Sequence, residues 1–581
     1  MAVSIRSIAP VAHLPLVLGV LRKLDVAQLI DTMIPPNPAH VLSCGRGVEA
    51  LVLAILDGHH ALYKVGRRLD ERGMLPLLQT GLEATSVHDT RLGQILDALF
   101  AANLNQVFGA IALKALETYA ILTPWIHQDT TTISLYGAYA EASDAGDAPQ
   151  PAYGHNKDGR GDLKQVLLSL GVSGDGGLPL RMGLRDGNRS DSVEVPHAIE
   201  ESLALGLGGL QGIVADSKAY NQRTLGLCLE QQVGLVTLVP RTCGIRQEVA
   251  AWGQQQASLP LLLAKPARHR REAPRRWYGR SMTREVEVEY NSSRIELAPV
   301  RFVAVYSTQL AEHHEEVYGK AQRREAEALA EHIAQVQGRR FACAADAEAA
   351  IAEYEGRERG KRGRRPCQWR YHEVGYRVEA QWQRQKRTQR GRPRKAEAVE
   401  HERVYRLRLT TKVLNPPVST FGWLVLATTV SEQTCGDAEI VQAYRDQTTT
   451  VEPGFRWIKN PAAISPVWLE KPERIAALAM LTVVGLLVYS LIQRQVRQFL
   501  RQHHQAIPGN KGETMMPTAT VVLESFAQVT LVSLELDGAD VQQVHGWQEH
   551  HRLICQALGV SDTWYEGAAN QKNNSMSRRG P

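Results

Sequence analysis

The alternation of strand-like and helix-like segments between residues 121 and 240 constrains the fold of this chain most strongly. It runs as a Thr- and Ile-containing strand, two strands joined by Ser-Gly-Asp-Gly-Gly, a helix, a short apolar strand, a second helix and a further apolar strand. A glycine-rich turn of this kind joins the strands of a hairpin, and helices between apolar strands indicate crossover connections. The pattern therefore predicts an α/β domain with a mixed sheet.

The chain has 581 residues, which is too long for one small core and predicts several domains. Residues 1–120 read as a helical N-terminal domain, which is either a DNA-end-binding module or a packing domain. We predict that the rest divides into a first part of the α/β core at 121–240, a basic insertion domain with strands and a long helix at 241–420, a second part of the core at 421–500, a helical C-terminal region at 501–566 and a disordered tail at 567–581.

The positive charge of the chain is concentrated in one segment. Between Arg357 and Lys395 there are 15 Lys and Arg residues against three acidic ones, a local charge of +12, whereas the whole chain carries +6. The remainder is therefore acidic by difference, and the segment predicts a polyanionic partner. Arg392 and Arg394 lie in its run Arg-Gly-Arg-Pro-Arg-Lys, which is either a hook for a narrow A·T minor groove or a solvated basic loop.

The seven cysteines are scattered and never form a CxxC pair, which argues against a disulfide framework and a zinc site. The first residues lack a convincing apolar region with a cleavage site. We therefore expect a cytoplasmic protein. Residues 475–492 are uncharged and just reach the length of a membrane span. A helix buried in a large core is the favoured interpretation, and a membrane-anchored protein is the alternative.

The segment 444–459 carries charged side chains at helical spacing. If it is helical from Glu452 onward, Glu452, Arg456 and Lys459 stand at i, i+4 and i+7 on one face. A carboxylate stacked with two cations suits a metal ion beside a phosphate. A surface salt-bridge ladder is the alternative.

Two further acids lie at predicted strand positions. Asp129 is inside the Thr-rich strand, and Asp216 follows the apolar strand Gly-Ile-Val-Ala. Acids at the strand ends of one sheet converge even when they are distant in sequence, and a third acid on a packed helix completes an oxygen-ligand site for two Mg²⁺ or Mn²⁺ ions. The alternatives are a lone polar residue for Asp129 and a helix N-cap for Asp216.

Three blocks, 127–131 (HQDTT), 214–217 (VADS) and 444–459, together resemble a DDE-type transposase of a bacterial insertion sequence. The resemblance is to the branch with a YREK signature and a strand-rich insertion, and the motifs at 154–158, 162–165 and 187–191 are also similar. It implies a ribonuclease H-like core in which Asp129 bridges two metal ions while Asp216 and Glu452 each hold one. It further implies that Lys459 contacts a DNA phosphate, and that Tyr444, Arg445 and Arg456 belong to the DNA-binding segment.

The chain departs from the signature in two places. Thr448 stands where the family has Arg, so that Tyr444 and Arg445 are displaced, and Pro453 directly follows Glu452. Because proline is comfortable only in the first turn of a helix, we expect the helix to begin at Glu452. Trp277, beside Arg275 and Arg276, either stacks on an unpaired base or packs in a core.

The expected function is that of a transposase that binds the terminal inverted repeats of its element and catalyses Mg²⁺-dependent strand cleavage and transfer. The resemblance implies a dimer or larger assembly on DNA, acting on the bacterial nucleoid and not at a membrane. The alternative is a DNA-binding relic of such an enzyme with a disabled site, which the altered signature supports.

Overall fold

The computed structural model describes residues 3–58, 61–137, 139, 148–267, 273–290, 294–356, 369–384, 401–414, 421–460, 469–536 and 539–566. The chain divides into two compact units. The first consists of residues 1–242, 281–302 and 426–581, and the second of residues 243–280 and 303–425. The described residues form a mixed α/β protein, which confirms the predicted class.

The N-terminal part of the first unit contains one strand and seven α-helices. Its elements are β1 (Val3–Ala9), α1 (Leu14–Lys23), α2 (Val26–Met33), α3 (Cys44–Leu56), α4 (Leu62–Glu71), α5 (Leu75–Leu78), α6 (Asp89–Ala101) and α7 (Leu104–Thr118). Ser43 caps α3 by accepting a hydrogen bond from the Arg46 N–H, and nearly every side chain of α3 is buried. The buried residues of this bundle belong to one core that they share with the apolar run 475–492.

The α/β part of the first unit follows the predicted order of elements. It contains β2 (Trp125–Leu135), β3 (Lys164–Ser173), β4 (Pro179–Asp186), α8 (Asp191–Ala204), β5 (Gly212–Ala215), α9 (Gln222–Glu230) and β6 (Gly234–Leu238). Gly176 and Gly177 adopt positive φ angles in the turn between β3 and β4, as its sequence requires. The predicted hairpin, helices and apolar strands are thus confirmed.

The sheet of this part is mixed. β12 (Trp423–Thr428) returns to it through its last three residues, which pair with β6, and the strand order is β4-β3-β2-β5-β6-β12. β3 is antiparallel to β2 and β4, whereas β2, β5 and β6 are mutually parallel. The parallel pairing of β2 with β5 ends at Gln128 and Ala215, and the residues discussed below lie next to this point.

Two long helices complete the first unit. These are α13 (Asp437–Ile458) and α14 (Pro472–Gln502). α14 contains the apolar run 475–492, and 94% of its most apolar window is buried within the protein. Within the described residues it is the one helix long and apolar enough to cross a membrane, and the bent pair α6–α7 passes the same test if it is counted as one span. The burial supports the interpretation of α14 as a core helix.

The C-terminal region differs from the helical region that the sequence predicts. It contains β13 (Ile507–Gly509), β14 (Gly512–Thr514), α15 (Ala519–Ser525), β15 (Thr530–Leu536), β16 (Ala539–His545), α16 (Glu549–Leu558) and α17 (Thr563–Glu566). β15 pairs with both β16 and the N-terminal β1, in the order β1-β15-β16. The predicted disordered tail at 567–581 lies outside the described residues.

The second unit contains α10 (Gly244–Gln254), β7 (Leu261–Lys265), α11 (Thr308–Gly338), α12 (Ala344–Gly356), β10 (His372–Arg384) and β11 (His401–Val413). β8 (Arg275–Tyr290) and β9 (Arg294–Ser307), like β12, have residues in both units. β10 and β11 form an antiparallel ribbon, and its Leu407 and Leu409 pack with residues of α11 and α12 in a small core. The strands and the long helix predicted for this region are present.

Candidate functional site

Asp129 and Asp216 lie beside each other at one edge of the sheet. β2 and β5 are parallel, and their register pairs Gln128 with Ala215. Asp129 is the next residue of β2 and Asp216 is the first residue after β5, so the two aspartates continue the same register. The structure therefore brings together two acids that are 87 positions apart in the sequence.

Both carboxyl groups are in an environment that disfavours ionisation. Burial raises the pKa of Asp129 to about 6, and the charges of Asp216 and Asp191 add to this effect, whereas Lys157 opposes it. Burial also raises the pKa of Asp216, while a hydrogen bond from the Lys218 N–H and the charge of Lys157 lower it. Two acids with perturbed pKa values at one position are typical of functional sites.

A lysine lies close to this pair. Lys157 Nζ donates hydrogen bonds to Thr130 O at 2.7 Å and to Thr130 Oγ1 at 2.6 Å, and it lies 3.5 Å from Asp191 Oδ2. Thr130 Oγ1 in turn donates to Asp191 Oδ1 at 2.9 Å. Asp191 is the first residue of α8, so its charge is favourably placed at the helix N-terminus. The motifs at 154–158 and 187–191, which the sequence analysis compared with the transposase branch, therefore meet at the site.

The loop that carries Lys157 is held from two sides. The buried Asn156 side chain donates to Ser134 Oγ and accepts hydrogen bonds from the N–H groups of Asp158 and Arg160. On the other side, Lys459 Nζ contacts Asp158 Oδ1 at 2.6 Å. Lys459, which is predicted to contact a DNA phosphate, is thus paired with this loop.

α13 begins at Asp437 and not at Glu452, so the expectation that Pro453 starts the helix is wrong. The buried face of the helix, which includes Ile440, Gln447, Val451 and Ile458, continues on both sides of Pro453. Its packing outweighs the cost of an interior proline, about 3 kcal/mol. Gln447 Nε2 also donates to Gln128 O at 3.4 Å, which links the helix to β2 beside Asp129.

Glu452 occupies an exposed position on α13, as does Arg456. Neither forms an ion pair within the described part of the chain, and Lys459 pairs with Asp158, so the salt-bridge ladder considered for this face is not formed. Tyr444 and Arg445 are half-buried on the preceding turns.

The oxygen ligands fit a divalent metal only in part. Asp129 and Asp216 provide adjoining carboxylates, which are the donors that Mg²⁺ and Mn²⁺ prefer. No group of three or more His, Cys, Asp or Glu side chains that could hold a metal occurs among the residues the structure describes. The two-ion site with Glu452 as third ligand therefore stays a prediction.

Two other predicted DNA-binding elements have different outcomes. Trp277 lies in β8 and is only 1% exposed, which supports the interpretation that it packs in a core. Arg392 and Arg394 lie outside the described residues. Trp277 thus cannot stack on a base unless its surroundings open.

The sequence reasoning missed several residues near the pair. Lys157 and Asp191 belong to motifs that had been noticed but had no role. Burial lowers the pKa of His127 to about 4. Asp446, on α13, lies close enough to His127 for its charge to raise this pKa and so oppose the effect of burial. Only the HQDTT block pointed to this histidine.

Beneath α8, a network of buried charges ties the helix to the sheet. Glu194 is fully buried and lies 3.4 Å from an Arg181 nitrogen, 3.0 Å from Arg185 Nε and 3.2 Å from Arg189 Nε. Arg181 also donates to Ser169 Oγ on β3 and contacts Glu201 on α8. The network fixes the helix whose first residue is Asp191.

Comparisons with known proteins identify little of the chain. Residues 5–113 match the family model described as "Domain of unknown function (DUF4277)", which covers β1 and most of the N-terminal helices. No curated protein matches. A cryo-EM structure of piggyBac transposase in a synaptic complex with hairpin DNA aligns with 90% of this chain and 80% of that chain, at 9% sequence identity and a TM-score of 0.35. A likeness this weak carries no argument about function.

Proposed function

We propose that this protein is a DNA transposase that binds the terminal inverted repeats of an insertion sequence and cleaves and transfers its strands. The observation that carries the proposal is the pair Asp129 and Asp216, two acids with raised pKa values at the point where the parallel pairing of β2 and β5 ends. The proposed fold of this part is a ribonuclease H-like core. The mixed sheet supports it, since β2 and β5 deliver the two acids to one edge.

The surroundings of the pair suit a phosphodiester substrate. Lys157 places a cation near the carboxylates, and Lys459 is paired with the loop that carries Lys157. The segment 357–395 supplies a strongly basic region elsewhere in the chain. Cations that face DNA phosphates give the sequence-independent part of the affinity. We propose DNA as the partner, a dimer or larger assembly on paired ends, and the bacterial nucleoid as the place of action.

The proposed cofactor is Mg²⁺ or Mn²⁺, with Asp129 and Asp216 as ligands and Glu452 as the third acid. When bound, such ions activate a water or a 3′-OH and stabilise the leaving oxygen. The residues of this chain hold the two carboxylates together and provide the neighbouring positive charge. Glu452, on α13, completes the proposed set.

A second candidate function is a DNA-binding relic with a disabled site. The altered signature before Glu452, with Thr448 in the place of Arg, favours this alternative. The displaced Tyr444 and Arg445 of the signature add to it. The two candidates share the fold and the DNA partner and differ only in cleavage.

A gel assay separates the two candidates. The inverted repeats that flank the gene define the labelled duplex, which is incubated with the protein in Mg²⁺ or in EDTA. An active transposase nicks the end and leaves a 3′-OH in Mg²⁺ only, and Glu452→Gln removes this activity. Binding without nicking supports the relic, and failure to bind the repeats contradicts both candidates.

A further inference from the structure

Lys157 lies among the acidic groups of the candidate site. Its charge lowers the pKa of both Asp129 and Asp216, and its nitrogen lies 3.5 Å from Asp191 Oδ2. Its side chain is 29% exposed, so solvent and ligands can reach it. A fixed cation at this place is the natural contact for a strand that enters the site.

The three hydrogen-bond donors of the ammonium group are unequally engaged. The two contacts with Thr130, at 2.7 and 2.6 Å, are short. The third, with Asp191, is 3.5 Å long, whereas charge-assisted hydrogen bonds of this type are about 2.7 to 2.9 Å. Lys157 can therefore accept a new anionic partner while both bonds to Thr130 persist.

The position of Lys157 is set by the protein and not by its own flexibility. The backbone N–H of Lys157 donates a hydrogen bond to Thr132 Oγ1 at 3.2 Å. The Asn156 side chain donates to Ser134 and so anchors the loop. A side chain held in this way loses little further freedom when it binds a ligand. Its distance from the aspartate pair is consequently maintained.

The surrounding charge favours the same interpretation. Asp129, Asp216, Asp191 and Asp158 are all nearby, and four carboxylates repel a DNA backbone unless cations compensate them. Lys459 is paired with Asp158, as Lys157 is loosely paired with Asp191. Both cations thus have protein partners that a phosphate can replace.

We propose that Lys157 binds a backbone phosphate of the DNA strand that enters the site, and that Asp191 is the partner the phosphate replaces. This inference rests on the proposed function, since it requires DNA at the pair Asp129 and Asp216. It assigns a role to the motifs at 154–158 and 187–191. Lys157 is a DNA-binding residue in this account and takes no part in the chemical step.

The test is the salt dependence of DNA binding without metal. Fluorescence anisotropy measures binding of a 40-base-pair random-sequence duplex in EDTA over a range of salt concentrations. Loss of one phosphate contact reduces the slope of log K against log salt by about 0.9. We expect this change for Lys157→Met, together with weaker binding, and no change for Lys157→Arg. Lys511→Met, at an exposed lysine of the β13–β14 turn, is the control.

A double-mutant cycle excludes a purely structural role. Asp191→Asn removes the competing partner and should strengthen DNA binding. If Lys157 mediates this gain, Asp191→Asn gives a much smaller gain in the Lys157→Met background. A structural Lys157–Asp191 pair predicts no gain in either background, because the loop merely loosens. An equal gain in both backgrounds shows that Asp191 acts only by its own repulsion of DNA.

The outcomes separate this inference from the proposed function. An unchanged slope for folded Lys157→Met protein, or an equal gain in the cycle, overturns the role of Lys157 and leaves the transposase proposal standing. If the wild-type protein does not bind the duplex at any salt concentration, the proposed function fails, and the inference fails with it. Thermal melting of each variant shows that the comparison is between folded proteins.

Discussion

Replacing Asp129 by Asn should make the protein more stable at neutral pH. Asp129 has a pKa of about 6 in the folded protein, against an ordinary value of 3.8, and burial is the main cause. Ionisation at neutral pH therefore costs the folded state free energy that the unfolded chain does not lose. Asn has nearly the same shape and no charge, so the substitution removes this cost.

The pKa shift gives the magnitude and the pH range of the effect. At about 1.36 kcal/mol per pKa unit, the shift corresponds to roughly 3 kcal/mol. The folded state binds the proton of Asp129 more tightly than the unfolded chain does. The stability that this proton contributes is fully present below pH 3.8 and is lost as the pH rises through about 6. The free energy of unfolding of Asp129→Asn should therefore exceed that of the wild type by up to about 3 kcal/mol at pH 8. The difference should shrink towards pH 4.

Urea unfolding at intervals between pH 4.5 and pH 8, without divalent metal, measures this difference. Asp216→Asn should show a gain of the same sign, since burial raises the pKa of Asp216 as well. Glu432→Gln, at an exposed carboxylate, is the control and should leave the free energy of unfolding unchanged. The reasoning is refuted if Asp129→Asn is no more stable than the wild type at pH 8, or if its gain does not depend on pH.

Two further predictions concern the packing around the site and in the second unit. Trp277→Ala should lower the free energy of unfolding by about 3 to 5 kcal/mol, because it empties a buried position. It should leave the slope of log K for DNA binding against log salt unchanged. A changed slope in folded protein would support base stacking instead. Glu194→Gln should cost about 3 to 5 kcal/mol in urea unfolding, because it removes a fully buried carboxylate and leaves only Glu201 to compensate Arg181 and Arg185. Glu200→Gln, on the exposed side of the same helix, should cost about 0 to 1 kcal/mol, and equal losses for both would contradict this account.

Local pattern was sufficient for the α/β part of the fold. The alternation of apolar strands, a glycine-rich hairpin turn and amphipathic helices carries its own signal in residues 121–240, and the structure follows it. The burial of α14 also followed from its uniform apolarity. The strand β1 was missed because its partner β15 lies more than 500 residues away, so no local signal marks the pairing.

The helix α13 shows how tertiary packing overrides a local rule. Pro453 predicts a helix start from the sequence, yet the buried face from Ile440 to Ile458 holds the helix together across it. Thr449 and Thr450 donate hydrogen bonds from their hydroxyl groups to Asp446 O in the turn before the proline, as Ser and Thr side chains do within helices. Burial along the whole helix, which sequence spacing does not quantify, decides its start.

The site was predictable only for the two acids that strands carry. Asp129 lies within β2 and Asp216 directly follows β5, and sequence patterns can indicate such strands, which become neighbours in the sheet. Lys157 and Asp191 come from two separate loops, and only the folded chain places them 3.5 Å apart. Glu452 was assigned by the resemblance to the family signature, and it lies at an exposed position of α13.

The most direct test of the central claim is the cleavage of a transposon end by purified protein in Mg²⁺. The wild type, Asp129→Asn and Asp216→Asn are compared on a labelled duplex that contains the inverted repeat, with binding measured on the same DNA in EDTA. The account predicts that the wild type releases a 3′-OH at the end of the repeat, whereas both variants bind the duplex with undiminished affinity and do not cut it. Cleavage by either variant at the wild-type rate would contradict the assignment of these two aspartates as the catalytic pair.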